Sequence, residues 1–185
     1  SYRGYDIYDL AEHCLFEEVA FLLQFGQLPS VNELKQFQEK LILERHLPQN
    51  LIVILESLPA KAHPMDVLRS GVSCLGCISP EHSDFSNQDN IIESLFAKLP
   101  CMLLYWYHFS HHGKRISLES PQNSMAGFFL EKLHNKPPSE THLNAMNASL
   151  ILYAEHEFNA STFASRVTAS TLSDLYSCIC MHMQE

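Results

Sequence analysis

The sequence predicts an all-α protein. Apolar residues recur at helical spacing over most of the chain, and no segment shows sustained two-residue alternation. Prolines mark the joints between the helical segments. Asp6 is placed to cap a first helix whose apolar positions include Leu10, Cys14, Leu15, Val19, Phe21 and Leu22, with Gly26 as its stop. Ser30 and Glu33 form a capping-box pair that opens a helix to about Arg45. Pro48 and Asn50 open a shorter helix through Leu58, closed by Pro59. His63-Pro64 restarts the chain, and Met65, Val67, Leu68, Val72 and Leu75 set the apolar face of the next helix. Gly71, in the middle of that helix, predicts close backbone contact with a neighbour. Residues 79–88 are mostly polar and read as a loop. Asp89 caps a long helix to about His112, kinked at Pro100 because proline lacks an amide and clashes with the preceding turn. A polar connection covers 113–123. Helices follow from about Ser124 to His134, from about Glu140 to Tyr153, and from near Ala160. The expectation is about nine helices, with no internal repeat.

The chain has 185 residues, enough for one domain or for a domain and part of another, and 46% of them are hydrophobic. Twelve Lys and Arg against 21 Asp and Glu give a net charge of −9 with no basic stripe, which argues against a nucleic-acid partner. No apolar run reaches the roughly 20 residues that cross a bilayer, so no membrane association is expected. The opening residues, Ser1-Tyr2-Arg3-Gly4-Tyr5-Asp6, hold no basic segment followed by an apolar one, and a cytoplasmic location is expected. The six cysteines sit mostly in apolar helical patterns and read as buried free thiols in a reducing compartment. In that compartment the sequons at Asn147 and Asn159 carry no meaning.

Residue types alone give weak chemical signals. Cys74-x-x-Cys77 has no second pair at zinc spacing, and Cys178-x-Cys180-x-His182 could be drawn as a metal hook but looks like an accident of termination. His108, His111 and His112 gather at a predicted helix end; they could touch a substrate or a metal, but interaction with the last helical carbonyls explains them more cheaply. His156-Glu157-Phe158-Asn159-Ala160 is not a zinc-peptidase motif, since Ala160 stands where the second ligand would be. No metal site is therefore expected. Arg3 and Arg69 are candidates for structural ion pairs, Arg166 for an anion contact, and Asn159 and Ser161 for capping the final helix.

Three stretches together carry a specific resemblance. The first is Tyr2-Arg3-Gly4-Tyr5-Asp6-Ile7 with Asp9-Leu10-Ala11, Phe16-Glu17-Glu18-Val19-Ala20 and Gly26-Gln27-Leu28-Pro29. The second is His63-Pro64-Met65-Asp66-Val67-Leu68-Arg69-Ser70-Gly71-Val72-Ser73, and the third runs Tyr153-Ala154-Glu155-His156-Glu157-Phe158-Asn159-Ala160-Ser161-Thr162-Phe163. In this order they resemble the citrate synthases. The third stretch and Leu104-Tyr105-Trp106-Tyr107-His108 are similar to the 2-methylcitrate branch of that family. The match extends to about Ser177, and the tail from about 178 does not resemble the family's sequence.

The resemblance implies a citrate synthase-like multi-helical fold, with 1–185 forming an incomplete part of the large domain and the small domain missing. It implies an acyltransferase that condenses acetyl-CoA or propionyl-CoA with oxaloacetate, giving citrate or 2-methylcitrate and CoA. Acyl-CoA is then a substrate and no cofactor is expected. His156 matches a histidine that hydrogen-bonds and orients oxaloacetate. The enol-stabilising histidine, the ketone-polarising histidine, the aspartate base and later substrate arginines match no position here, so little or no turnover is expected from this chain alone. The family implies a homodimer, with Gly71 and the Met65–Leu75 segment as the guessed contact. The rival expectation is a non-catalytic helical remnant that acts at most as a dimerisation module.

Overall fold

The computed structural model describes residues 1–155 and 159–183. Among the described residues there are ten helices and no strand beyond an isolated Tyr2–Tyr5 bridge. The helices are α1 (Ile7–His13), α2 (Phe16–Phe25), α3 (Val31–Glu44), α4 (Gln49–Ser57), α5 (Pro64–Ile78), α6 (Gln88–His112), α7 (Met125–His134), α8 (Glu140–Leu152), α9 (Ala160–Ser170) and α10 (Leu175–His182). The all-α reading holds. Among the described residues, no helix is long and apolar enough to cross a membrane.

The chain divides into two units. The first comprises 1–43 and 119–155, and its core gathers Tyr2, Leu10, Val19, Leu22 and Ile151. Here α8 packs on α1, α2 and α7. The second comprises 44–118 and 159–183, with a core of Leu51, Leu55, Val67, Val72, Leu75, Leu95, Met102 and Trp106, joined by Tyr176 and Met183. In it α4, α5 and α6 pack on one another, and α10 lies between α5 and α9.

Where local signals were strong, the helix ends fall as expected. Ser30 accepts from the Glu33 amide at 3.4 Å while the Glu33 carboxylate accepts from the Ser30 amide at 2.7 Å, a reciprocal box at the start of α3. The His63 ring nitrogen accepts from the Met65 amide at 3.3 Å, Pro64 takes the first helical position, and Asp66 stands in the first turn of α5. Arg69 then pairs with Asp66 at 2.6 Å. The second recognised stretch is thus a helix-starting device.

Two expectations are corrected. The first predicted helix is two, broken at Cys14-Leu15, because Asn147 of α8 captures the join: its side-chain carbonyl accepts from the Phe16 amide (2.8 Å) and its amide donates to the Cys14 carbonyl (2.9 Å). The long helix begins at Gln88 without an Asp89 cap, since Asn87 stands at the cap position and accepts from the His82 amide of the loop (2.8 Å). As expected, that helix runs on to His112 as one 25-residue element that contains Pro100, with Ala97, Cys101, Met102, Leu104, Tyr105 and Trp106 buried. Gly71 does meet a close neighbour, but within its own unit. A Cβ there would overlap the Met102 sulfur and lie 3.6 Å from Leu51, so Gly71 serves the α4–α5–α6 contact.

The last described residues have a place in the second unit. The backbone turns at Leu172, at φ 61°, and Asp174 caps α10 by accepting from the Ser177 amide (3.0 Å) and hydroxyl (2.7 Å). Tyr176, Cys178 and Met183 are buried.

Candidate functional site

His156, with Glu157 and Phe158, lies outside the described residues; the backbone that delivers it is described on both sides. On the near side α8 starts at Ser139, whose hydroxyl accepts from the His142 amide at 3.3 Å, and ends at Tyr153. On the far side Asn159 caps α9, accepting from the Thr162 amide at 2.6 Å, with the Ser161 hydroxyl donating to the same oxygen at 3.2 Å. Asn159 therefore takes the capping role expected of it, while Ser161 lies inside α9 and supports the cap only by donating to the Asn159 oxygen.

The C-terminal end of α8 is gripped by the first residues of the chain. Tyr2 and Tyr5 exchange backbone hydrogen bonds at 3.0 and 2.9 Å, with Arg3 at φ 50° and Gly4 at φ 93° between them. That is the geometry of a type I′ turn, and Gly4 tolerates its conformation because it has no Cβ. Arg3 donates to the Leu23 carbonyl at 3.1 Å, which ties the turn to the end of α2. The turn sends the Tyr2 side chain into the first core, where the residue is 4% exposed. Its hydroxyl donates to the Ile151 carbonyl at 2.9 Å and has the carbonyls of Leu152 and Glu155, each at 3.3 Å, within reach. Burial pushes the Tyr2 phenol above its ordinary pKa, so it stays protonated and able to donate. Asn147 secures the middle of the same helix, as described above. Its engaged side chain makes the sequon a packing element.

Glu17, 1% exposed, accepts from the backbone amide of Met125 at the start of α7. It therefore works as a helix-end acceptor supplied from another helix.

The other candidates resolve into structural roles. His111 Nδ1 stands 3.1 Å from the Tyr107 carbonyl and 2.9 Å from the Ser110 hydroxyl, at the end of a helix closed by Gly113 in the left-handed conformation. This is the helix-end reading. Tyr107 packs among His108, His111 and His112, with ring centroids 4.8 to 5.5 Å apart. Arg166 is exposed on α9. Among the described residues, no group of three His, Cys, Asp or Glu side chains is arranged to hold a metal ion. Cys77 and Cys180 line a half-open cavity of about 620 Å³ together with Ser73, Glu81, Asp174 and Tyr176. The carboxylates there are engaged in holding backbone: Glu81 accepts from the Leu175 amide at 3.0 Å, and Asp174 caps α10.

Sequence reading missed one charged cluster. Glu56 of α4 accepts from the Tyr105 hydroxyl at 2.7 Å and from Arg115 through both carboxylate oxygens at 2.6 and 2.8 Å, while Arg115 lies 5.5 Å over the Phe109 ring. The Arg115 guanidinium and the Tyr105 hydroxyl hold the Glu56 carboxyl down at about 2, and burial with Glu56 nearby pushes the Tyr105 phenol up to about 12. With its acceptor sites filled, this cluster clamps α4 to α6 and to the segment after it.

Comparison with known proteins identifies relatives of the whole described chain. The family profile described as "Citrate synthase, C-terminal domain" matches residues 1–183. A 2-methylcitrate synthase from Shewanella oneidensis is 53% identical over 97% of this chain and 48% of its own length. A second, 2-methylcitrate synthase 2 from Corynebacterium glutamicum, is 40% identical over 97% of the chain and 48% of its own length. A citrate synthase crystal structure from Thermotoga maritima superposes with a TM-score of 0.82 at 34% identity, over 98% of this chain and 47% of that one. The citrate synthase of Thermoplasma acidophilum, in a ternary complex with carboxymethyl coenzyme A and oxaloacetate, superposes at 0.84 with 26% identity, over 97% and 48%. The chain spans about half the length of the relatives it matches.

Proposed function

The chain belongs to the citrate synthase family, and from that premise we propose that it is part of an acyl-CoA:oxaloacetate acyltransferase whose product is 2-methylcitrate, with propionyl-CoA as donor. The observation that carries the reading is the 53% identity to a 2-methylcitrate synthase, sustained over nearly the whole chain. In this reading a base removes a proton beside the thioester carbonyl of propionyl-CoA. The enol carbon forms a bond to the ketone carbon of oxaloacetate, and water then cleaves the thioester to release CoA. Acyl-CoA is a substrate, and no resident cofactor is required. His156 donates to oxaloacetate and fixes the ketone in line with the enol carbon; orientation of this kind is worth orders of magnitude in rate. The proton-transfer groups come from family positions outside these 185 residues, so this chain by itself gives little or no turnover. The intact enzyme is a cytoplasmic homodimer.

Two measurements test this. Thiol release by the purified chain, with propionyl-CoA or acetyl-CoA and oxaloacetate, is expected at background; robust release overturns the claim of inactivity. Calorimetry with oxaloacetate is expected to show binding that His156→Ala abolishes. Binding equal in the two proteins removes His156 from the site.

A second reading is favoured by the half-length match: a non-catalytic helical module that pairs with itself or with an intact homologue. Phe163, Val167 and Leu172 leave an apolar strip at 71, 48 and 83% exposure, an unusual surface for an isolated protein. Sedimentation separates the two readings. A monomer that binds oxaloacetate supports the first, and a dimer that ignores it supports the second.

A further inference from the structure

We propose that the half-open cavity between α5 and α10 is a thiol-modification site: Cys77, with Cys180 beside it on the cavity wall, takes up a small cationic group by exchange with a low-molecular-weight disulfide. The inference is independent of the oxaloacetate reading and stands or falls without it.

The six thiols differ in where the fold puts them. Cys101 and Cys178 are buried, and Cys14, Cys74 and Cys180 are half-buried against one core or the other. Cys77 is the exposed one. Burial pushes Cys101 up to about 12 and raises Cys14, Cys74 and Cys178 as well, so these four stay protonated at neutral pH, whereas a disulfide is attacked by a thiolate. Cys77 and Cys180 share a cavity of about 620 Å³, within the range of small-molecule sites. There α10 comes close to α5 because Gly76 has no side chain: a Cβ would lie 3.1 to 3.3 Å from the Tyr176 ring. The Cys180 sulfur stands 3.3 Å from the Ser73 hydroxyl and 3.6 Å from the Arg69 carbonyl. Ser73 precedes Cys77 by one turn on the same face of α5, so Cys180 is engaged one turn away and the exposed Cys77 is the attacker. The lining carries Glu81 and Asp174 and includes no Lys, Arg or His. Hydrogen bonds fix both carboxylates and leave their charge in place: Glu81 accepts from Gln88 at 2.6 Å and from the Leu175 amide, and Asp174 accepts from Ser177. An ammonium group is drawn to such a wall and a carboxylate is repelled. In the exchange the Cys77 thiolate attacks one sulfur of the disulfide and the S–S bond breaks. The other half leaves as a thiol, carrying the proton that Cys77 gave up. Cys77 is oxidised to the mixed disulfide, and the departing half is reduced.

Three small disulfides of similar size test this on the folded chain: cystamine, which is cationic, bis(2-hydroxyethyl) disulfide, which is neutral, and dithiodiglycolic acid, which is anionic. Mass spectrometry of peptides after brief exposure reads the site and the rate. Each rate is divided by the rate at the same cysteine in the denatured chain, which cancels the reagents' own reactivity. The first addition should fall on Cys77. The normalised rate for cystamine should exceed that for the neutral reagent by roughly tenfold at low salt, with the diacid slower than both. Added salt at about 1 M should close most of that gap, because the carboxylates of a half-open wall are screened. Cys77→Ser should lose the fast addition and leave only slow addition at Cys180. Addition that begins only when the chain unfolds overturns the proposal, as does addition spread evenly over the six thiols. Equal normalised rates for the three reagents overturn the cationic class and with it the assignment. A Cys77→Ser chain that still adds cystamine as fast as the wild type also overturns it.

Discussion

At the scale of single residues, three polar side chains of the first unit hold backbone ends. Glu17, Tyr2 and Asn147 each reach from one helix or turn to the unpaired amides or carbonyls of another, and all three lie in the unit that leads to His156. Glu17→Ala should strand the Met125 amide in a buried place and cost about 1–3 kcal/mol, the usual penalty for an orphaned donor, read by denaturant titration. A loss below about 0.5 kcal/mol would mean that α7 does not depend on this acceptor. Glu56 gives a pH test. Its folded pKa is depressed to about 2, from an ordinary value of 4.5, first by the Arg115 hydrogen bonds and then by the Tyr105 hydroxyl. The stabilisation is therefore present above about pH 4.5 and is lost as pH falls toward 2. Thermal melts of Glu56→Gln between pH 6 and 2 should show a shallower acid limb than the wild type. Parallel limbs would show that the clamp contributes nothing measurable.

At the scale of elements, the sequence shows helices wherever the capping signals are local. Ser30 with Glu33 and His63-Pro64 announce α3 and α5 by chemistry contained within a few residues, and both helices start where expected. The break at Cys14-Leu15 was not legible, because the residue that makes it, Asn147, lies more than 130 positions away. The same holds for the site. His156 could be picked out by its surroundings in the family pattern, and Tyr2 by its own, whereas the bond from the Tyr2 hydroxyl to the end of α8 was not legible, its partners being carbonyls that any sequence possesses. Gly71 lies between these cases: its presence in a helix announced a close approach, but only the fold identifies Met102 as the neighbour. Gly71→Val should force the buried Met102 thioether aside and cost about 3 kcal/mol, at the top of the usual overpacking range. Met102→Ala in the same chain should recover part of that loss. If the double variant is no more stable than Gly71→Val alone, the strain lies elsewhere.

At the scale of the whole molecule, two cores that share no residue predict two separable responses to damage. Leu55 is fully buried in the core of α4, α5, α6 and α10, and Val19 in that of α1, α2 and α8. Leu55→Ala removes three carbons from a packed site and should cost about 2–5 kcal/mol, depending on how far the cavity collapses. Val19→Ala removes two carbons and should cost less. If the units open as separate cooperative blocks, exchange should quicken mainly in α4, α5, α6, α9 and α10 for the first variant, and mainly in α1, α2 and α8 for the second. A chain that behaves as one block would show the same exchange pattern for both. The result bears on function because His156 falls where the chain passes from one unit to the other. In the separable case, damage to the second core should leave the Tyr2 grip on α8 intact, and oxaloacetate should still perturb the His156 ring signals in Leu55→Ala. In the single-block case that signal should be lost along with the core.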